Sequence, residues 1–186
     1  MSGNIFFDES SLGRVGKNVI IGKTVRIRYP HLVELGDDVI IDDFTYISTA
    51  LRIEGNVHIA AGCQLIGGRN ATVVMRAYST LAPNVVLAAG SDDYIAGIAS
   101  PMVPAAAKGN PAIGNIRLGR HCIVGANSTV LPNVTLADGA AVGAQSLVKD
   151  DLEAWTLYAG IPVRAIKLRD RNEILRLEAL LSEKAP

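Results

Sequence analysis

Two acids stand side by side at Asp92 and Asp93, followed by Tyr94, in the stretch GSDDYIAGIASPMVPAAAKGNP. Carboxylates at the mouth of a long loop can orient an amine or take a proton. They can also simply close a turn, because Ser-Asp-Asp is ordinary turn chemistry. His58, in VHI, is the second candidate. A lone histidine can act as a base near neutral pH, or it can be structural. His31 and His121 are expected outside any mechanism. The three histidines are separated by long, unequal intervals, so no zinc site is expected.

The elements that must hold these residues are written in a period of six. From Leu118 the chain reads LGRHCI, VGANST, VLPNVT, LADGAA, VGAQSL, VKDDLE. Each block begins with a branched aliphatic residue: Leu118, Val124, Val130, Leu136, Val142 and Val148. The fifth residue is small or branched: Cys122, Ser128, Val134, Ala140, Ser146 and Leu152. Apolar residues at spacing six march around a helix instead of lining one face, so helices do not fit. Short strands do. Three bends close a coil, and coils stack at the inter-strand spacing of about 4.8 Å. The expected fold is all-β, a parallel β-helix of about six coils with a C-terminal α-helix.

The boundaries follow the frame. Residues 1–14 are a polar lead-in containing Gly3 and Gly13. Residues 15–153 carry the repeat, broken by two extra residues in 28–34, by a small insertion around 67–72, and by a projecting loop at about 88–117. Residues 154–186 hold an irregular closing segment, with Gly160 and Pro162 as breakers, and an amphipathic helix. In that helix Ile174, Leu177 and Leu181 share a face, with Leu180 beside them, while Arg171, Glu178 and Glu183 lie elsewhere. The helix is expected to cover the open end of the stack, with Trp155 packed in the cap. Function should sit where the period breaks, on loops held by a rigid support.

Composition agrees with a narrow prism. Hydrophobic residues are 49% of the chain but aromatics only 5%, which suits a core of Ile, Val, Leu and Ala. Eighteen basic residues balance eighteen acidic ones, so no nucleic-acid or anionic-membrane partner is suggested. No apolar run is long enough to span a bilayer, and the start MSGNIFFDESSLG lacks the features of a signal peptide. Cys63 and Cys122 both fall on the inward fifth position. They are expected to be buried fillers in a reducing, cytoplasmic compartment.

The segment VGANSTVLPNVTLADGAAVGAQSLVKDDLEAWTLYAGIPVRAIK resembles the closing coils of the hexapeptide-repeat acyltransferases. That resemblance implies a left-handed helix, a homotrimer, and acetyl-CoA as co-substrate with no metal. The left hand comes from the resemblance alone, since β-crossovers ordinarily favour the right. VVLAAGSDDY and VHIAAGCQLIGG are similar to a subgroup of bacterial sugar N/O-acetyltransferases that includes enzymes acylating nucleotide-linked deoxyamino sugars for surface polysaccharide, including lipopolysaccharide. In the hydroxyl-acylating relatives this loop carries a catalytic histidine. Here no histidine occurs between His58 and His121, and Asp92 and Asp93 stand in its place.

The replacement has a chemical reading. A hydroxyl needs a fairly strong base as it attacks, whereas a neutral amine attacks first and loses its proton from an acidic intermediate. A carboxylate suffices for that. The expected function is therefore acyl transfer from coenzyme A to a sugar amine, with Asp92 and His58 catalytic and Asp93 and Tyr94 on the substrate. Asp92 and His58 fall on different corners of one prism and are expected to meet only across a subunit interface. The resemblance also places coenzyme A beside Gly125-Ala126 and Gly143-Ala144, with Lys149, Arg164 and Lys167 near its phosphates. Two family features are missing: Ala82 stands where some members carry a serine, and Ile161 where the closing motif has asparagine. The alternatives are a sugar O-acetyltransferase with His58 as base, and a non-catalytic β-helix scaffold.

Overall fold

Every sixth residue of the repeat turns inward, and the side chains so aligned form ridges along the core. Leu118, Val124, Val130, Leu136 and Val148 are fully buried, and Val142 nearly so. The fifth-position residues Cys122, Ser128, Val134, Ala140, Ser146 and Leu152 are buried beside them. Each large aliphatic side chain removed from water contributes roughly 1.5–3 kcal/mol. The computed structural model describes residues 8–182; residues 1–7 of the predicted lead-in and Glu183 lie outside the described residues.

The chain winds as a left-handed parallel β-helix with three walls. The first wall is an eight-stranded sheet. It stacks Ile20–Ile21, Val39–Ile41, Val57–Ile59, Thr80–Leu81, Ile123–Val124, Ala141–Val142 and Thr156–Gly160 in parallel. The eighth strand, Val163–Leu168, returns antiparallel to Thr156–Gly160. The second and third walls share one branched sheet, because the long strands Tyr46–Ile53 and Gln64–Met75 bend across the corner between them. The seventh parallel rung extends the expected count of about six coils. It is formed by residues assigned above to an irregular segment. That segment is a hairpin, because Gly160, with φ +109°, turns the chain back on itself.

Most corners turn through left-handed backbone. Asn18, Asp38 and Asn56 take it on the corner leading into the first wall, where Asn and Asp tolerate positive φ. Further along, the same corner holds Tyr78, His121 and Trp155, also at positive φ. These rings make a column. Tyr78 and His121 stack with centroids 5.1 Å apart, and Trp155 lies 5.9 Å from His121. Gly139 sits between them in sequence. A Cβ there would come within 2.3 Å of the Trp155 ring, so only glycine lets the indole reach across.

Helix α1 (Arg171–Ser182) docks on this column and does not cover the end of the stack. Arg171 lies over Trp155, at 5.8 Å. Glu178 accepts from Arg120 and from His121 Nε2, the latter at 2.8 Å. Arg169 donates to the carbonyls of His121 and Gly139. Glu178 therefore points to the body of the protein, not away from it. The expectation failed because the ring column offers both a stacking surface and hydrogen-bond donors for Glu178, while amphipathic spacing reports only apolar residues.

Candidate active site

All three interruptions of the period fall at one corner, between the second and third walls. The first builds a short turn at Pro30–Leu32. The second is a bulge within Gln64–Met75, where Thr49 pairs with Gly68 and Ala50 with Thr72. The third is the long loop, founded on an antiparallel ribbon of Gly90–Ser91 with Ala112–Ile113. Gly67 and Gly90 let bulge and loop meet. A Cβ on Gly67 would lie 2.8 Å from Ala71 Cβ, and one on Gly90 would lie 3.0 Å from Gly67 Cα.

Asp93 holds the loop together from inside. Its Oδ1 accepts from the amides of Ile95 (2.9 Å) and Ala96 (3.1 Å), and its Oδ2 from Asn110 (2.9 Å). The Asn110 amide, then those of Ala96 and Ile95, holds the carboxyl below the usual range. Gly97 and Gly109 permit the approach, since a Cβ at either would strike Lys108 O or Asp93 Oδ2.

Between this loop and the second wall lies a cavity of about 520 Å³. Ile66, Gly67 and Ala88 line it from the wall, Thr129 and Leu131 from the next coil, and Asp92, Tyr94, Lys108, Pro111 and Ile113 from the loop. The exposed Asp92 carboxylate and 86%-exposed Tyr94 ring are thus available to a ligand. The cavity pairs an apolar floor with one acid and one cation. That combination suits a polar ring bearing an amino group.

His58 is not in this cavity. It stands on the first wall between Ile40 and Thr80, with Nε2 2.8 Å from Asp42 Oδ2. A carboxylate only accepts, so Nε2 donates and Nδ1 is left as the basic nitrogen.

The remaining predicted positions spread along two corners. Ala126 and Ala144 sit where the first wall turns into the second, and Gln145 donates to the Ala126 carbonyl at 2.8 Å. Gly125 is required by the stack itself: a Cβ there would lie 2.5 Å from Ala144 N. Arg164 pairs with Ala159 in the register of the final hairpin, and Lys167 with Leu157. Ala159 lies against Gly143, where a Cβ would be 3.1 Å from its own Cβ. Arg164 is therefore at the end of the small-residue corner, exposed. Lys149 is elsewhere, beyond the far edge of the second wall, paired with Asp150 at 2.7 Å.

Burial pushes the thiol of Cys63 up to about 11 and that of Cys122 to about 12, so neither is poised as a nucleophile. Among the described residues no group of three metal-binding side chains gathers, and no helix is long and apolar enough to cross a membrane. Sequence reasoning missed Lys108, although it is the one cation between Arg76 and Arg117. It also missed Asp42, which meets His58 only through the coil register.

No family model matches the chain. Individual proteins do. A dTDP-4-amino-4,6-dideoxy-D-glucose acyltransferase of Escherichia coli is 34% identical over 95% of this chain and 92% of its own length. The N-acyltransferase AntD of Bacillus cereus, solved with dTDP and 3-hydroxybutyryl-CoA, is 35% identical over 98% of this chain and all of its own, with a TM-score of 0.89. Other structures of AntD replace a serine, or an aspartate ten residues further on, and superpose with a TM-score of 0.92. A maltose O-acetyltransferase of Clostridium difficile, at 19% identity and a TM-score of 0.59, shares the fold.

Proposed function

The chain belongs to the hexapeptide-repeat sugar acyltransferases, and on that premise we propose that it moves an acyl group from coenzyme A to the amino group of a nucleotide-linked deoxyamino sugar. The observation that carries this reading is the cavity where Asp92, Tyr94 and Lys108 face an apolar floor with no histidine among them. It is supported by the two relatives whose names specify a dTDP-linked amino sugar or dTDP as ligand. Asp92 stands ten residues after Ala82, the spacing of the replaced aspartate and serine in AntD.

The thioester supplies the electrophile; the chain supplies position. Asp92 orients the amine and takes its proton once the carbon–nitrogen bond has formed; the tetrahedral intermediate then breaks its carbon–sulfur bond, and coenzyme A leaves as a thiolate that is protonated to the thiol. Tyr94 covers the sugar, and Asp93 keeps the loop in shape. The groove along Ala126 and Ala144 receives the pantetheine arm. Arg164 meets phosphate, with Lys149 and Lys167 as outlying cations. Holding both reactants in place accounts for most of the rate. The enzyme works in the cytoplasm, on precursors of surface polysaccharide such as lipopolysaccharide.

The working unit is a homotrimer. The outer ladder of the first wall exposes Ile20, Ile40 and Ile123, whereas that of the third shows Glu34, Arg52 and Arg117. Packing the apolar ladder against a neighbouring protomer removes it from water and carries His58 toward the neighbour's loop. The Asp42–His58 pair favours one second reading, an O-acyl transfer with His58 as base.

Incubating the purified protein with acetyl-CoA and a panel of nucleotide-linked amino sugars, followed by product mass, tests the proposal. An N-acylated sugar nucleotide is expected. Products formed only from hydroxyl acceptors would overturn it.

A further inference from the structure

The corner that carries the loop also gathers an unsatisfied basic cluster. The first-coil insertion brings Arg28 to 5.6 Å from the centre of the Tyr29 ring. The third-coil bulge brings Arg69 to 5.5 Å from the same ring. The bulge reaches so far because it folds down over the intervening corner. There Thr49 is fully buried and donates to the Ala71 carbonyl at 2.8 Å. Arg28 and Arg69 are both exposed, and neither forms an ion pair with a described carboxylate. Two like charges held beside one ring without a counter-charge are the footprint of an anion site.

We propose that Arg28 and Arg69, braced on Tyr29, bind the diphosphate of the acceptor nucleotide. The inference rests on the acyl-acceptor reading above. Three observations support it. The cavity's own charges offset one another, because Lys108 is matched by Asp92, so a doubly charged diphosphate finds no surplus cation there. Ile66 and Gly67 line the cavity, and Arg69 lies two residues further along the same bulge. Stacked rungs at about 4.8 Å put the insertion of Arg28 roughly 14 Å along the edge from the loop, a span that an extended sugar nucleotide covers. Coenzyme A also contains a diphosphate. Arg164, its candidate partner, stands at the other corner, on the final hairpin.

Titration calorimetry with dTDP, which needs no turnover, tests the assignment on wild type, Arg28→Ala, Arg69→Ala and the double variant. Circular dichroism melts verify that each is folded. The double variant is expected to lose affinity for dTDP by about tenfold or more. Its KM for the sugar nucleotide should rise in step, with kcat and the KM for acyl-CoA unchanged. Undiminished dTDP affinity in the folded double variant overturns the inference and leaves the acceptor reading standing. So does a rise confined to the KM for acyl-CoA, which assigns the cluster to the donor's diphosphate. Wild-type protein that neither binds dTDP nor acylates an amino sugar overturns both.

Discussion

Asp92 and Asp93 are neighbours in opposite circumstances. Asp93 spends both oxygens on three amides of its own loop, while Asp92 faces the cavity. Replacing Asp92 by Asn should therefore lower kcat by about a hundredfold or more, the usual contribution of a positioned proton acceptor. A raised KM with unchanged kcat would instead make it a binding residue. Asp93 answers to pH. Its folded carboxyl is held below the ordinary range by the amides of Asn110, Ala96 and Ile95. A depressed pKa stabilises the loop above the unfolded value, and that contribution disappears as pH falls through the folded one. Hydrogen-exchange protection of those three amides should persist from neutral pH into the ordinary carboxylate range and be lost only below it. In Asp93→Ala it should be low at every pH. The adjacent acids are plain in the sequence, but their division of labour is not, because it depends on where Asn110 returns in the loop.

At the scale of elements, helix α1 is held by side chains that no amphipathic pattern reveals. Glu178 joins Arg120 and the largely buried His121, and the stacked rings of Tyr78, His121 and Trp155 form the bed. Glu178→Ala leaves both donors without their acceptor and should cost about 1–3 kcal/mol. In a thermal melt the helical signal should fall before the β signal. Coincident loss of both, at the wild-type midpoint, would show that the helix is held by its leucines alone. The loop is likewise an element in its own right, with a ribbon at its base and Asp93 at its centre. Its length marked it as functional, while its shape follows from hydrogen bonds across 17 residues of sequence.

For the whole molecule, the contrast between an apolar first wall and a charged third wall predicts which face is covered in the proposed trimer. Ile40 and Ile123 are 38% and 41% exposed, so Glu is tolerated there by the lone protomer. The double variant Ile40→Glu, Ile123→Glu should sediment as a folded monomer and lose turnover, since His58 and the loop stand on different walls. A variant that remains trimeric by light scattering would move the interface to another wall.

The sequence alone determined the architecture, because a period of six admits few ways to bury its aliphatic residues, and the ridges from Leu118 to Val148 are buried as that period requires. It also located the loop, since a break in a strict repeat is visible without coordinates. Only the tertiary structure decided what meets at the breaks. Insertions separated by tens of residues stack on one corner because each complete coil returns the chain to the same edge, one strand spacing along. That return joins Arg28 to Arg69 across the insertions and Asp42 to His58 across one uninterrupted coil, while the final hairpin and the chain beyond it bring Glu178 of α1 back to His121.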